Sequence, residues 1–330
     1  MTKVKYWMAL ILFGLILIAG GFAWWLLAPS QIQPASIMVE PGDLFYKVVV
    51  KLGERRIISS PWLFSKVGVL AGLDRHIIPG RYDFGRRLSN YAVMKKLWRG
   101  DIAILGLTIP EGYTLRQIGN LLSTQCGTDI RVFDSLVRDS LFLSSLGVST
   151  GFAEGYLFPE TYRFQWGITA AEAIGAMVRQ TFVCIDSARL ARAGELGYSL
   201  HDLLTMASIV ESEASALDEY PLIASVYRNR YVSRMKLQAD PTVIYGMGGL
   251  DRSLLIKDYQ FPSRYNTYLY RGLPPTPICS PGLAAMEATL DPAETDYLYF
   301  VADGSGRHIF NKTYREHLQD TRRVKGKTSL

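Results

Sequence analysis

One carboxyl group in this sequence is placed as a proton-transferring catalyst would be. Glu211 ends the run Ala207-Ser208-Ile209-Val210-Glu211, within a segment where apolar residues recur at helical spacing from Leu200 onward. It comes four residues after Ala207 and seven after Leu204, so its side chain points toward the packed side of the predicted helix. Apolar surroundings disfavour the charged form of a carboxyl, raise its pKa and let it hold a proton to deliver. Glu211 is therefore the candidate general acid.

The same spacing is also typical of a structural glutamate, whose stem packs at the rim of an amphipathic helix while its head stays in water. Glu213 points elsewhere, because two residues are more than half a helical turn. Ser199 and Asp202 predict the start of this helix as a capping pair. A second amphipathic helix is predicted to begin near Asp218, with Pro221 in its first turn.

Polar and aromatic residues follow in three short stretches. Residues Leu237 to Thr242 predict an extended polar segment, and Tyr265-Asn266-Thr267-Tyr268 and the proline-rich Gly272 to Ile278 come after it. Tyrosine rings stack on sugar faces, while Asn, Gln and Thr side chains bond to hydroxyl and acetamido groups. These stretches could build a glycan-binding cleft; the alternative is a proline-stiffened loop with ordinary turn chemistry.

Several other chemistries are disfavoured. The sequence has no His-Glu-x-x-His run and no Gly-x-Ser-x-Gly elbow, which argues against zinc proteases and serine hydrolases. Its three cysteines, Cys126, Cys184 and Cys279, permit one internal disulfide at most and lack metal-ligand spacing. We expect neither a metal nor a cofactor.

The net charge of +6 belongs to the two ends of the chain, since Lys3, Lys5 and four basic residues between Arg322 and Lys327 account for all of it. The body of the protein is neutral overall, so no nucleic-acid surface is implied.

Residues Tyr6 to Ala28 carry no charge, and 23 helical residues are enough to cross a bilayer. Lys3 and Lys5 predict a cytoplasmic N-terminus, with everything from about Ser30 outside the cytoplasm. A cleaved signal peptide is the alternative, but the apolar run is long and no small-x-small cleavage site precedes Pro29. We expect a single-pass protein of the cytoplasmic (inner) membrane, periplasmic beyond the anchor if an outer membrane is present.

The expected fold class is α+β, with four parts: a cytoplasmic tip and anchor (1–29), a small α+β subdomain (30–105), a mixed α+β catalytic domain (106–320) and a basic tail (321–330). In the subdomain, strands at Ile37 to Val39 and Gly80 to Phe84 enclose helices at Leu44 to Leu52, capped by Asp43, and Pro61 to Leu70. This arrangement resembles a LysM module, a fold that binds cell-wall sugars; a plain spacer is the alternative. In the catalytic domain, one helix from Ala170 to Ala193 leads to the central helix that carries Glu211.

Five stretches follow one another in order behind the anchor: Glu154 to Tyr162, Ala207 to Glu213, Leu237 to Thr242, Tyr265 to Tyr268 and Gly272 to Gly282. In this order they resemble the endolytic murein transglycosylase family, also called the YceG-like family. The resemblance runs from about Ile37 to Leu318. It departs at Ser212 and Ala214, where the family commonly has Lys and Thr, and at Thr276, where Gly is usual.

The resemblance implies a bacterial enzyme that cuts peptidoglycan strands internally, near the membrane where they are made, with Glu211 as the catalytic residue. Glu211 would protonate the oxygen between N-acetylmuramic acid and N-acetylglucosamine, then take the proton of the muramyl C6 hydroxyl as this attacks C1. The product is a 1,6-anhydro end, and no water is consumed. The resemblance also implies contact with peptidoglycan synthases, and a role in terminating strand elongation and organising the wall.

Further positions match the family motifs and would line the cleft. Glu213 would support catalysis, or is a surface residue. The other positions expected to bind substrate are Gln238, Asp240, Tyr265, Asn266 and Thr267.

Three alternatives from other classes remain open at this point. The first is a hydrolytic muramidase with Asp240 as the second carboxylate that water-using glycosidases need. The second is a non-catalytic, membrane-anchored wall-binding protein in which the LysM-like module acts and Glu211 is structural. The third is a scaffold that recruits synthases through the membrane helix.

Overall fold

The structure is a computed structural model that describes residues 2–29, 34–213 and 216–328. It is a mixed α+β protein with one apolar N-terminal helix, as expected. Clustering of contacts divides the chain into two compact units. Unit 1 comprises Met1–Gly106 and Arg163–Ile168, and unit 2 comprises Leu107–Tyr162 and Thr169–Leu330.

The chain begins with helix α1, Thr2–Leu27. Its segment Val4–Leu27 has a mean hydropathy of 2.4, and it is the one helix among the described residues that is long and apolar enough to cross a membrane. The last turn of α1 is bonded to the rest of unit 1. The indole Nε1 of Trp25 donates to the Ser59 carbonyl at 3.2 Å, and the Asn90 side-chain amide donates to the Trp25 carbonyl at 2.8 Å.

Unit 1 contains the predicted strand-helix-helix-strand order. Its elements are β1 (Ala35–Val39), α2 (Phe45–Glu54), α3 (Pro61–Leu70), the 3-10 helix Leu73–Arg75, β2 (Gly80–Phe84) and α4 (Asn90–Arg99). Strands β1 and β2 are antiparallel, with Ala35 opposite Phe84 and Val39 opposite Gly80. The identity of this subdomain as a LysM-like module stays a prediction.

The predicted capping role of Asp43 is wrong. Leu44 occupies the N-cap position of α2 and makes no side-chain capping bond. The Asp43 carboxylate instead accepts from the Glu40 backbone N–H at 3.1 Å and from the Lys51 ammonium at 2.6 Å. Asp43 therefore closes the turn before the helix, because its side chain is bonded to residues on both sides of the Pro-Gly turn.

Strands β3 (Ile104–Thr108) and β4 (Thr161–Gln165) pair with each other where the chain passes between the units. Unit 2 is mostly helical, and its one further sheet pairs β5 with β6 in antiparallel fashion, Tyr299 opposite Asn311. Its 3-10 helices are Leu217–Glu219 and Ile256–Gln260. The remaining elements are α5 (Leu115–Cys126), α6 (Ile130–Leu136), α7 (Ser140–Ser145), α8 (Ala170–Cys184), α9 (Ser187–Glu195), α10 (Leu200–Glu213), α11 (Tyr220–Val232), α12 (Asp240–Gly246), α13 (Leu283–Leu290), β5 (Tyr299–Ala302), β6 (His308–Asn311) and α14 (Tyr314–Thr328).

Helix α10 is the centre of unit 2. The predicted capping pair is present, since the Ser199 N–H donates to Asp202 Oδ2 at 3.0 Å and the Asp202 N–H donates to Ser199 Oγ at 3.1 Å. Every residue from Leu203 to Val210 is buried. The expectation of a one-sided amphipathic helix is therefore wrong, because α9, α11, α12 and α13 pack around α10.

Two other element predictions differ from the structure. The helix expected from Ala170 to Ala193 is two helices, because the chain leaves helical geometry at Ile185 and Asp186 caps a new helix by accepting from the Arg189 N–H at 2.9 Å. The stretch expected to be extended from Leu237 to Thr242 turns into helix α12 at Asp240. Helix α14 includes most of the basic tail.

Candidate active site

Glu211 lies in the last turn of α10 and is half-buried. Its Oε1 accepts a hydrogen bond from the Tyr220 hydroxyl at 3.0 Å, and its Oε2 accepts from the Gly282 backbone N–H at 2.9 Å. Burial raises the pKa of Glu211, and the nearby charge of Glu111 raises it further, while the two hydrogen bonds act in the opposite direction. The net effect is a raised pKa, which suits a group that must carry a proton near neutral pH.

The loop that supplies Gly282 is bonded to α10 and to a turn before α5. Ser208 Oγ on α10 accepts from the Ile278 N–H at 3.0 Å. Ser280 then pairs with the turn, accepting from the Gly112 N–H at 2.9 Å and donating its own N–H to the Tyr113 carbonyl at 2.8 Å. The motif stretch Gly272 to Gly282 and the turn before α5 are thereby brought to the end of the helix that carries the candidate acid.

A second carboxyl lies at the same place and was not among the predicted site residues. The exposed Glu111 belongs to the turn before α5 and lies against Gly282, where a Cβ atom would be 1.9 Å from Glu111 Oε1. A Cβ on neighbouring Gly112 would come within 3.9 Å of Glu211 Cγ. At the sequence level Pro110-Glu111-Gly112 indicates a turn, but a local signal cannot reveal a contact with a residue 171 positions further along the chain.

Glu213 belongs to a different set of side chains, in agreement with the predicted direction. Its Oε1 accepts from the buried Tyr227 hydroxyl at 2.5 Å. Burial raises the pKa of Glu213 to about 7, Asp240 contributes in the same direction, and Arg230 opposes it. Glu213 is thus a half-buried, hydrogen-bonded carboxyl, and its supporting role in catalysis stays a prediction.

Asp240 interacts with Glu213, and among the described residues it shares no hydrogen-bond partner with Glu211. Its carboxylate accepts from the Tyr268 hydroxyl at 2.6 Å and from the Tyr259 hydroxyl at 3.3 Å. The charge of Asp240 also raises the pKa of Glu213, so the two carboxyl groups interact electrostatically.

Glu154 is a third carboxyl with a raised pKa, and it lies in the interior. It is 2% exposed, and it accepts from the Leu115 N–H at 2.9 Å and the Tyr245 hydroxyl at 2.7 Å. Burial raises the pKa of Glu154 to about 7. A carboxyl this deeply buried cannot reach a glycan. We infer that Glu154 has a structural role, because it bonds the start of α5 through the Leu115 N–H and helix α12 through the Tyr245 hydroxyl.

The predicted substrate-binding positions separate into two groups. Gln238 is exposed and Tyr265 is half-buried, with its hydroxyl 2.9 Å from Thr276 Oγ1. Gln238 also has a left-handed backbone, φ +54°, a strained conformation for this residue type that is common at functional sites.

Asn266 and Thr267 are buried, which does not agree with a place in the cleft wall. The Asn266 amide donates to the Tyr259 and Phe261 carbonyls at 3.0 and 2.9 Å, and Thr267 Oγ1 accepts from the Ala239 N–H at 2.9 Å. We infer that these two residues fix the loop that presents Gln238 and Tyr265.

Glu211 is thus a half-buried carboxyl with a raised pKa that is held by two oriented donors, one of them the backbone N–H of Gly282. Tyr220, which donates to Glu211 from the start of α11, was also not among the predicted site residues. Among the described residues, no cluster of three or more His, Cys, Asp or Glu side chains could hold a metal ion. Cys126, Cys184 and Cys279 are free thiols.

Comparison with known proteins gives consistent matches. The sequence model of the YceG-like family matches residues 37–323. An endolytic murein transglycosylase of Bacillus subtilis is 35% identical over 254 residues, which cover 72% of this chain and 70% of the relative. One of Streptococcus pneumoniae is 31% identical over 271 residues, which cover 72% of this chain and 48% of the relative. A crystal structure of a yceG-like protein from Listeria monocytogenes superposes with a TM-score of 0.63 at 31% identity, covering 87% of this chain and 98% of the other.

Proposed function

This chain belongs to the YceG-like family, and from that premise we propose that it is an endolytic lytic transglycosylase that cuts the glycan strands of peptidoglycan. The observation that carries the proposal is the setting of Glu211, a half-buried carboxyl with a raised pKa at the end of the central helix. The names of the curated relatives supply the substrate and the reaction class.

The first step is protonation of the leaving oxygen. Protonated Glu211 donates to the glycosidic oxygen between N-acetylmuramic acid and N-acetylglucosamine, and the bond from C1 to that oxygen breaks. The Gly282 N–H and the Tyr220 hydroxyl fix the plane of the carboxyl and favour the carboxylate that this transfer creates. Burial acts against both bonds, and the net effect is a raised pKa for Glu211.

The second step returns the proton. The Glu211 carboxylate accepts the proton of the muramyl C6 hydroxyl as that oxygen bonds to C1, which yields the 1,6-anhydro end. Glu211 is then protonated again, and no water has entered the product. Glycosidases that use water typically need a second carboxylate as base or nucleophile. This route needs one, which favours the proposal over a hydrolase based on Asp240, whose carboxylate is bonded to two tyrosine hydroxyls.

The remaining expectations belong to the same proposal. We propose that α1 anchors the enzyme in the cytoplasmic membrane with its N-terminus inside, because it is long and apolar and has Lys3 and Lys5 at its N-terminal end. Unit 1 would then bind nascent glycan as a LysM-like module. Gln238 and Tyr265 would contact substrate, and Asp240 and Glu213 would support the cleft. A membrane-embedded enzyme of this kind would meet peptidoglycan synthases and terminate elongating strands.

The test is mass spectrometry of peptidoglycan treated with the full chain in detergent. We expect 1,6-anhydro-muramyl ends inside strands, and a loss of at least about 10³-fold in their rate of formation for Glu211→Gln, the scale of combined acid and base catalysis. Glu213→Gln is the matched control, since it removes a nearby carboxyl of raised pKa, and we expect a loss below about tenfold.

Other outcomes would contradict the proposal. Ends that carry an added water would indicate a muramidase. Binding of strands by both proteins without cleavage would indicate a wall-binding protein. An active Glu211→Gln variant would remove Glu211 from the reaction.

A further inference from the structure

Two carboxyl groups face each other across Gly282. The Gly282 N–H binds Glu211 Oε2 at 2.9 Å, and the Cα side of the same residue lies against the Glu111 carboxyl. Standard bond lengths added to these two distances place Glu211 Oε2 and Glu111 Oε1 no more than about 7 Å apart.

The position of Glu111 is fixed by backbone bonds rather than by its own side chain. The turn that carries it is paired to Ser280 in both directions, through Gly112 and Tyr113. Gly112 has φ +74°, which favours glycine and allows the turn to bring Glu111 beside the loop. No ion pair involves Glu111 among the residues that the structure describes, so its charge is not neutralised locally.

Resting on the proposed function, we propose that Glu111 is a positioning residue of the active site: its carboxylate, which lies against Gly282, supplies a negative charge that favours the proton-bearing form of Glu211 before substrate is bound.

Among the residues that the structure describes, three titratable groups interact with Glu211. Tyr220 on α11 donates a hydrogen bond to it, and Glu111 on the turn repels its charged form. Cys279 lies in the same loop as Gly282, and burial raises the pKa of its thiol, which therefore stays uncharged. Glu111 is thus the group among these whose removal lowers the pKa of Glu211. A neighbouring negative charge serves both steps, because it favours the protonated form of Glu211 before the transfer and makes its carboxylate a stronger base afterwards.

The sign of the expected effect follows directly. Glu111→Gln removes the repulsion, so the pKa of Glu211 falls and less of it is protonated near neutral pH. The alkaline limb of the activity profile should move to lower pH by about 0.5 to 1 unit, as expected for one charge at this separation near solvent. At pH values on the alkaline side of this limb, the rate of Glu111→Gln should be about three- to tenfold lower than that of the native protein. Glu111→Asp keeps the charge and should keep the limb closer to its native position.

Gly282→Ala tests the same contact without touching a charge. Gly282 has φ −76° and ψ 169°, which alanine adopts freely, so the backbone N–H to Glu211 is retained. The added methyl would overlap Glu111 Oε1 and Cδ, at 1.9 and 2.2 Å, and must displace that carboxyl. We expect a shift in the same direction as Glu111→Gln, and little further shift when the two changes are combined.

The experiment records two quantities on the full chain in detergent. One is the pH profile of anhydro-product formation. The other is the infrared carboxylic-acid band of Glu211, identified by its loss in Glu211→Gln, as a function of pH. Glu195→Gln, which removes an exposed carboxylate from α9, is the control and should move neither quantity.

A rate lowered equally at all pH values with an unmoved Glu211 titration would mean that Glu111 only holds the turn, and would overturn the inference. A titration that shifts as expected in a protein that forms no anhydro ends would leave the inference standing and reject the proposed function. A titration that shifts upward in Glu111→Gln would contradict the sign of the argument.

Discussion

Loss of the Tyr220 hydroxyl should move the pH dependence of catalysis in the direction opposite to loss of Glu111. Tyr220→Phe removes one of the two hydrogen bonds that favour the Glu211 carboxylate and leaves the ring in place. Because a bond to the charged form lowers a pKa, its removal raises the pKa of Glu211. The alkaline limb of the rate profile should therefore move to higher pH.

The size of the shift follows from the geometry. A hydrogen bond to a charged group contributes about 1.5 to 3 kcal/mol, and the 3.0 Å bond here serves a half-buried carboxyl that water can partly reach after the change. We take the lower end of that range, which corresponds to about one pKa unit. Tyr220 is 5% exposed, so the variant should keep its packing and unfold at nearly the native temperature.

The assay is the initial rate of anhydro-product formation from pH 5 to 9, with Tyr227→Phe as the matched control. Tyr227 makes the equivalent bond to Glu213 at 2.5 Å, so its loss perturbs the same region without touching Glu211. We expect the limb of the control to move less than half as far. A limb that stays in place or moves down in Tyr220→Phe would refute the assignment of the titrating group.

Three further predictions concern the stability of the fold and the role of Asp240. Burial raises the pKa of Glu154 from its usual value to about 7, so the fold loses stability as the pH rises through this interval and Glu154 ionises. The native protein should therefore gain Tm when the pH is lowered from 8 to 5, and this gain should be smaller in Glu154→Gln. In denaturant titrations, Gly155→Ala should lower the free energy of unfolding by more than about 2 kcal/mol, because a Cβ at this position would lie 2.4 Å from Pro277. Gly167→Ala is the control: Gly167 has nearly the same φ but open space around it, so its free energy of unfolding should fall by only about 1 kcal/mol. Asp240→Asn should reduce the rate of strand cleavage less than about 30-fold, because a general base would cost up to 10⁴-fold and that larger loss would support the muramidase alternative.

The central helix could be predicted because its signals are local. Ser199, Asp202 and the apolar spacing all lie within a few turns of one another, and the structure reproduces the start of the helix and the inward direction of Glu211. What the pattern could not show is that the helix is buried on every side, since this depends on four other helices. The break at Ile185 was missed for a related reason, because the capping signal of Asp186 lies inside a pattern with helical periodicity on both sides.

The polar partners of the site were mostly out of reach of sequence reasoning. Glu111 meets Gly282 only because backbone pairing joins a turn and a loop that are 170 residues apart. Helical periodicity placed Glu213 correctly away from Glu211, but its burial comes from Tyr227, on the next helix. Asn266 was expected in the cleft on the strength of its residue type, although the same amide bonds serve equally well to fix a loop.

The most direct test of the central claim is strand cleavage in water enriched in ¹⁸O, followed by mass spectrometry of the new ends. If Glu211 acts first as acid and then as base toward the C6 hydroxyl, the anhydro ends carry no ¹⁸O and are absent with Glu211→Gln. One ¹⁸O atom at each new reducing end would show that water attacks C1, and would contradict the account.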